Sequence, residues 1–343
     1  LNSSLTFRQY LKAIDNARSG MYKIIYVAPE RLATDNFMDF ALCSDISFVS
    51  IDEAHCISHW GQDFRPSYTA IADFIDRLPK RPVIGAFTAT ATEKVQEDVI
   101  AQLRLKDPLL IKTGFDRKNL RFLVKAPKDK YKELRSYLRD HADESGVIYC
   151  ITRKAVEEVC DKLNQDGFSA TRYHAGLPDE ERRQNQEDFI YDNKKIIVAT
   201  NAFGMGIDKS NVRFVVHYNM PKDIESYYQE AGRAGRDGMP AECLLLYSGR
   251  DVITNQFLIE QNRDNELLDA DEAQALIEKD KARLKQMTFY STTKDCLRGF
   301  ILAYFGESHP QYCGNCSTCL TNFEEISILK EARIIIHCIL SAD

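Results

Sequence analysis

Short apolar runs, each followed at once by a polar motif, constrain this chain more than any other feature. They occur at residues 46–51, 83–87, 147–150, 195–199, 212–218 and 243–247. The runs are continuous rather than alternating, as parallel strands covered on both faces require, and helical patterns such as residues 92–103 and 154–163 separate most of them. This predicts an α/β fold with ligand-binding groups at the carboxyl ends of parallel strands. Upstream, Thr6 and Gln9 make a capping box for a helix closed by Gly20, and residues 21–28 read as a further buried strand.

Near residues 114–130 the pattern breaks into Phe115-Asp116-Arg117-Lys118-Asn119-Leu120 and a lysine-rich stretch, which reads as a linker between two α/β units. After Tyr247 strand signals stop, and a charged helical stretch at 266–287 leads into a cysteine cluster. The expected divisions are 1–116, 117–248, 249–322 and 323–343. At 343 residues, with 44% hydrophobic and 28% charged content, the chain can bury two or three cores. No apolar run is long enough to span a bilayer and no secretory signal is present, so the expectation is an intracellular protein with no membrane association. Ten cysteines are too sparse for a disulfide scaffold. The net charge of −6 is weak evidence against a nucleic-acid partner, because a protein that grips backbone at a few local sites needs no basic average.

Asp52-Glu53-Ala54-His55 closes the run at 46–51. A carboxylate pair at a strand end is what NTPases use to hold Mg²⁺, here through Asp52, and to prepare the attacking water, here through Glu53. The bland alternative is a solvated acidic turn. His55 and His59 are four apart, but the zincin pattern needs Glu where Cys56 stands. Thr88-Ala89-Thr90 follows the next run with hydroxyls able to couple a pocket to a bound strand. Further on, Gln229 precedes Arg233 and Arg236, three apart on a glycine-loosened helix where they would share one face. Arginine suits charge stabilisation on a transferring phosphoryl group because its fork is planar and permanently charged. Cys296, then sixteen residues, then Cys313, Cys316 and Cys319 supply four soft ligands, suited to a closed tetrahedral Zn²⁺ site. The other six cysteines, Cys43, Cys56, Cys150, Cys160, Cys243 and Cys338, read as small buried residues.

Ser58-His59-Trp60-Gly61-Gln62-Asp63-Phe64-Arg65-Pro66 adds the chain's single tryptophan beside the carboxylate box. Trp60 and Phe64 offer stacking platforms for bases, and Arg65 a cation. With this loop, the box, the threonines, residues 173–177 and 199–209, the Gln229 to Gly238 segment and the cysteine spacing in that order, the chain resembles the RecQ-type helicases of superfamily two. The resemblance implies two RecA-like parallel-sheet domains, the first incomplete, then a helical zinc-binding module and, at 323–343, the start of a winged-helix domain. It also implies ATP, Mg²⁺ and Zn²⁺ as cofactors. Gly206 and Asp208 would join Asp52, Arg233 and Arg236 at the nucleotide. His55, Thr88, Thr90, Arg117, Asn119, Arg153, His174 and Thr200 would contact DNA or couple to it.

The activity implied is ATP-driven 3′ to 5′ translocation on single-stranded DNA with unwinding of duplex, in DNA repair and recombination. Single-strand-binding protein and recombination factors would be partners. The location would be the cytoplasm, at the bacterial nucleoid, or the nucleus in a eukaryote. No Gly-x-x-x-x-Gly-Lys-Ser/Thr loop occurs in the 343 residues. In the family that loop lies upstream, and both ends of the chain read as cut, so residues 1–343 alone are expected to bind ATP poorly. The rival expectation is a catalytically inactive nucleic-acid- or protein-binding module.

Overall fold

A computed structural model describes residues 1, 5–58, 61, 64–204, 208–261, 270–322 and 328–341. The architecture is parallel-sheet α/β followed by helices. A first unit pairs β1 (Phe48–Ile51) in parallel with β2 (Val83–Ala86). Helices Phe7–Arg18, Asp35–Leu42, Pro66–Arg77 and Glu93–Gln102 pack around them, burying Tyr10, Ile14, Phe37, Phe40, Ile75 and Leu103. The capping box forms, with Gln9 N donating to Thr6 Oγ1 at 3.3 Å and Thr6 N to Gln9 Oε1 at 2.9 Å. Residues 21–28 form no strand, and Ile24 and Tyr26 are exposed. An apolar run becomes a strand only beside a partner, and the described sheet of this unit contains β1 and β2.

The second unit is a six-stranded, all-parallel sheet: β3 (Leu120–Lys125), β4 (Ser145–Tyr149), β5 (Ala170–Tyr173), β6 (Ile196–Ala199), β7 (Val212–His217) and β8 (Ala241–Leu246), in the order β3-β8-β7-β4-β6-β5. β3 lies inside the expected linker. It is an edge strand, so Arg121 and Lys125 interrupt its apolar residues without being forced into the core. β5 also lacked a continuous apolar run, since only Ala170 and Thr171 of its four residues are buried. After β6 the chain crosses over β4 to begin β7 on its other side. In parallel sheets such a reversal is where ligand-binding crevices form, beyond the carboxyl ends of the strands.

Helices Gly249–Gln261, Ala270–Thr292 and Leu297–Tyr304 form the third part. Buried Leu284, Met287, Tyr290, Leu297 and Ile301 share a core with Tyr227 and the face of β3. Helix Leu329–Leu340 follows with its apolar residues exposed. Among the described residues no helix is long and apolar enough to cross a membrane. Of the six cysteines outside the cluster, Cys56, Cys150, Cys160 and Cys243 are buried, whereas Cys43 and Cys338 are exposed at helix ends.

Candidate functional site

β1 delivers Asp52 and Glu53 to the end of the first sheet, and Ala54 N ties that turn to β2 by donating to Phe87 O at 2.8 Å. Asp52 is exposed. Glu53 sits in the left-handed region, φ 48° and ψ 44°, a conformation costing a non-glycine residue about 1 kcal/mol and held only where its surroundings over-determine it. Those surroundings are visible: Glu53 N donates to Asp52 Oδ1 at 2.9 Å, and Gln229 Nε2 donates to Glu53 Oε1 at 3.2 Å. Nδ1 of buried His55 lies 3.3 Å from Glu53 Oε2 and 2.9 Å from Thr88 Oγ1. Thr90 N in turn donates to Thr88 Oγ1 at 3.4 Å. The threonine motif thus reaches the carboxylate through His55.

Gln229 comes from the second unit. Its helix, Ile224–Ala231, starts at Asp223, whose Oδ1 accepts from Ser226 N at 2.6 Å. The helix ends before the two arginines, so they do not share a helix face as expected. Gly232 caps it, and Gly235 at φ +56° and Gly238 at φ +81° turn the chain away. A Cβ at Gly235 would stand 2.4 Å from Asn119 Nδ2 and 2.7 Å from Met239 O, so the turn needs glycine twice over. Arg233 lies against Gly204, where a Cβ would overlap its guanidinium, and its Nη1 donates to Gly204 O. Arg233 Nε is buried with no hydrogen-bond partner among the described residues. Arg236 Nη1 is 3.4 Å from Asp208 Oδ1.

Tyr149, at the end of β4, donates to Phe203 O at 3.1 Å; burial pushes its hydroxyl far above the usual range, with Arg233 pulling the other way. His217, at the end of β7, bonds Glu230 through Nε2 at 2.8 Å, both being buried. Tyr149, His217 and Glu230 were missed in the sequence. A histidine closing a continuous apolar run was the available signal.

Several expected DNA contacts are turned inward. Arg117 donates to the carbonyls of Gly232 at 3.3 Å, Ala234 at 3.0 Å and Gly235 at 2.9 Å, and Asn119 Nδ2 donates to Gly235 O at 2.8 Å and Met239 O at 2.9 Å. These donors are taken up by the arginine loop rather than presented to a phosphate. His174 is buried, bonded through Nε2 to Glu157 at 2.8 Å. Thr200 is buried too, its carbonyl accepting from Phe203 N. Arg153 is exposed and lies over Gly176. Phe64 and Arg65 are half-buried, with Arg65 N held by Cys56 O at 2.9 Å. Arg283, from the helical part, donates to Gly61 O in the same loop at 2.8 Å. Trp60 and Gly206 lie outside the described residues.

The Sγ atoms of Cys296, Cys313, Cys316 and Cys319 all lie within 4.8 Å of one another. Zinc–thiolate bonds of about 2.3 Å in a tetrahedron put sulfurs roughly 3.8 Å apart, so the four residues fit Zn²⁺ with no open position. Burial pushes the Cys296 thiol up to about 12. At Cys316 burial acts the same way, but hydrogen bonds from Thr318, Cys319 and Leu297 prevail and bring it down to about 6. Gly299 N to Cys296 Sγ and Asn315 N to Cys313 Sγ, both 3.4 Å, complete a polar shell suited to thiolates.

Three family models match in sequence order: DEAD/DEAH box helicase over residues 3–99, helicase conserved C-terminal domain over 129–238, and RecQ zinc-binding over 249–320. The chain is 43% identical to the ATP-dependent DNA helicase RecQ of Bacillus subtilis over 99% of its own length and 56% of that protein. It is 42% identical to the ATP-dependent DNA helicase hus2/rqh1 of Schizosaccharomyces pombe over 92% of its length and 24% of that protein. It spans about half the length of the bacterial relatives. Among solved structures, Mycobacterium smegmatis helicase Lhr bound to ssDNA and AMP-PNP aligns with TM-score 0.57 at 16% identity, over 86% of this chain and 45% of that one, a likeness of fold. With both helicase models, the zinc model and relatives above 40% identity covering nearly its whole length, the chain belongs to the RecQ-type family of superfamily-two helicases.

Proposed function

We propose that the protein is an ATP-dependent DNA helicase that translocates 3′ to 5′ on single-stranded DNA and unwinds duplex in repair and recombination. The observation that carries this reading is the Gln229–Glu53 hydrogen bond, which joins the carboxylate turn of one sheet to the arginine-bearing segment of the other. Asp52 is exposed and free to meet Mg²⁺, and Glu53 is fixed beside it to orient water. Arg233 and Arg236 offer guanidinium donors on the facing segment, and closure of the cleft would bring them to the phosphates of ATP. The orphaned Nε of Arg233 fits such a role, since a buried donor is costly until an acceptor arrives.

The aromatic loop would report strand engagement to Glu53, and Arg283 gives that loop a footing on the helical part. Arg153 and Arg65 are the cations best placed for phosphate. The helicase names of the relatives favour an enzyme over an inactive binding module. Single-strand-binding protein and recombination factors are the partners, at the bacterial nucleoid or in a eukaryotic nucleus. The test is Glu53→Gln in the full-length protein: DNA-stimulated ATP turnover should fall by about 10² to 10⁴. Unchanged turnover would refute the assignment.

A further inference from the structure

We propose that Arg117, itself held by Arg298 next to the zinc ligands, is a positioning residue for Arg233 and Arg236, so that the four-cysteine centre sets the arginine loop through hydrogen bonds. The inference rests on the reading of Arg233 as a group that meets nucleotide phosphates.

The chain of contacts starts at Cys296, the N-cap of helix Leu297–Tyr304. Two residues on, buried Arg298 donates from Nη1 to Asp116 Oδ1 at 2.6 Å and Arg117 O at 2.8 Å, and from Nη2 to Leu120 O at 2.5 Å. Asn315, between two cysteines, adds a bond to Leu120 O at 3.4 Å. Residues 116–120 are thereby fixed to the zinc module. From that segment Arg117 and Asn119 reach the arginine loop with the five carbonyl contacts already described.

A parallel arm runs through Phe115. Its N–H donates to Glu307 Oε1 at 2.8 Å, its ring stacks on Phe305 at 4.2 Å, and its carbonyl accepts from Tyr228, the neighbour of Gln229, at 2.7 Å.

The chemistry calls for arginine. The carbonyls of Gly232, Ala234 and Gly235 follow a helix end, where intrahelical donors run out, and one planar fork satisfies all three. Without it the loop would keep its sequence but lose its fixed geometry, and preorganised donors lose most of their catalytic value when they must be reordered at each turnover.

The experiment uses the full-length protein with Arg117→Ala, Arg117→Lys, Arg298→Lys, Arg233→Ala and the Arg117→Ala/Arg233→Ala double variant. Zinc content, ATP kinetics and amide exchange over residues 232–238 are measured. Arg117→Ala should retain about one zinc per chain, lose about tenfold or more in kcat with KM for ATP within roughly threefold, and exchange those amides about tenfold faster. Where Arg117→Ala does not fold, Arg117→Lys should show the same pattern, because one ammonium nitrogen cannot occupy both the Nη1 and Nη2 positions from which the three carbonyls are reached. Arg298→Lys should also speed the exchange with zinc retained; unchanged exchange there would cut the zinc centre out of the chain. The double variant should lose clearly less than the product of the two single losses, since part of the Arg117 effect passes through Arg233. Multiplying losses, or Arg117→Ala kcat within about twofold of the parent beside an impaired Arg233→Ala, would overturn the positioning role alone. Normal turnover of Arg233→Ala would overturn the phosphate reading and the proposal with it.

Discussion

The loop that carries Asp52 and Glu53 leaves a two-stranded sheet whose residues are mostly half-exposed, whereas the loop ending in Arg233 and Arg236 rests on six strands of which β4, β6, β7 and β8 expose almost nothing. The first loop leaves the carboxyl end of a strand, whereas the second runs from the end of helix Ile224–Ala231 to the amino end of β8. They are held differently. On the carboxylate side Ala54 N ties the turn's backbone to β2, and the Glu53 side chain is held by bonds in series, from Thr88 through His55 to Glu53, closed by Gln229 from the other unit. On the arginine side the backbone itself is gripped, by Arg117 and Asn119 with the zinc module behind them. One half of the site therefore depends on its partner for orientation, while the other is anchored within its own unit.

The largest test of this contrast is removal of the metal centre. Cys316 is fully buried and forms a bridge with Phe122 of β3, so the four thiolates pin the edge of the six-stranded sheet as well as their own turn. Structural zinc binding contributes on the order of 10 kcal/mol to folding. Cys316→Ser should lose zinc and protection from amide exchange across β3 and helix Leu297–Tyr304, with helix Phe7–Arg18 of the first unit much less affected. Equal loss in both units would show that they fold as one.

A smaller effect separates the two sheets directly. Phe214 on β7 has no exposed surface; its ring fills the place a side chain at Gly146 would take and meets Tyr137 edge-on at 5.6 Å. Phe214→Ala should cost about 3–5 kcal/mol in urea unfolding. Phe48 on β1 is 52% exposed, and Phe48→Ala in residues 1–343 should change stability by about 0.5 kcal/mol or less. A cost at Phe48 approaching that at Phe214 would mean that the outer face of β1 is covered in solution.

The same contrast decides what could be read beforehand. β4, β6, β7 and β8 were legible because their buried stretches at 147–149, 196–199, 214–216 and 243–246 are unbroken by polar residues, with Arg213 and Glu242 confined to the starts of β7 and β8. β3 was hidden because an edge position lets Arg121 and Lys125 stay. Residues 21–28 misled because apolar content marks a strand only where a partner lies alongside. The placement of Asp52 and Glu53 at a strand end and the clustering of the four cysteines were legible from local spacing. Arg117 and Asn119 were assigned to phosphate because a cation and an amide look alike whether their acceptor is DNA or a carbonyl 116 residues away, and only the tertiary structure names the acceptor. The arginines were placed on a helix although Gly232, Gly235 and Gly238 were in view; the helix ends at Ala231 with Gly232 as its cap, and the positive φ of the other two turns the chain beyond it.

The finest test concerns the entry to the helix that carries Gln229. Glu225 is buried in its first turn, and burial raises its carboxyl above the ordinary value of 4.5, with neighbouring Asp223 adding to the rise and Tyr304 and Arg283 opposing it. Tyr304 donates to Glu225 Oε1 at 2.6 Å, while Oε2 has no hydrogen-bond partner among the described residues. A carboxyl whose folded pKa is raised holds more protons in the folded than in the unfolded state between the two values, so its contribution to stability declines as pH climbs past about 4.5. Glu225→Gln keeps an acceptor for Tyr304 and removes the ionisation. Its melting temperature should exceed that of the unsubstituted protein at pH 7, and the gap should close as the pH is lowered toward 4.5. A gap that is constant with pH would mean that Glu225 stays charged in the fold, and that the helix presenting Gln229 to Glu53 is anchored by an ion pair with Arg283 instead.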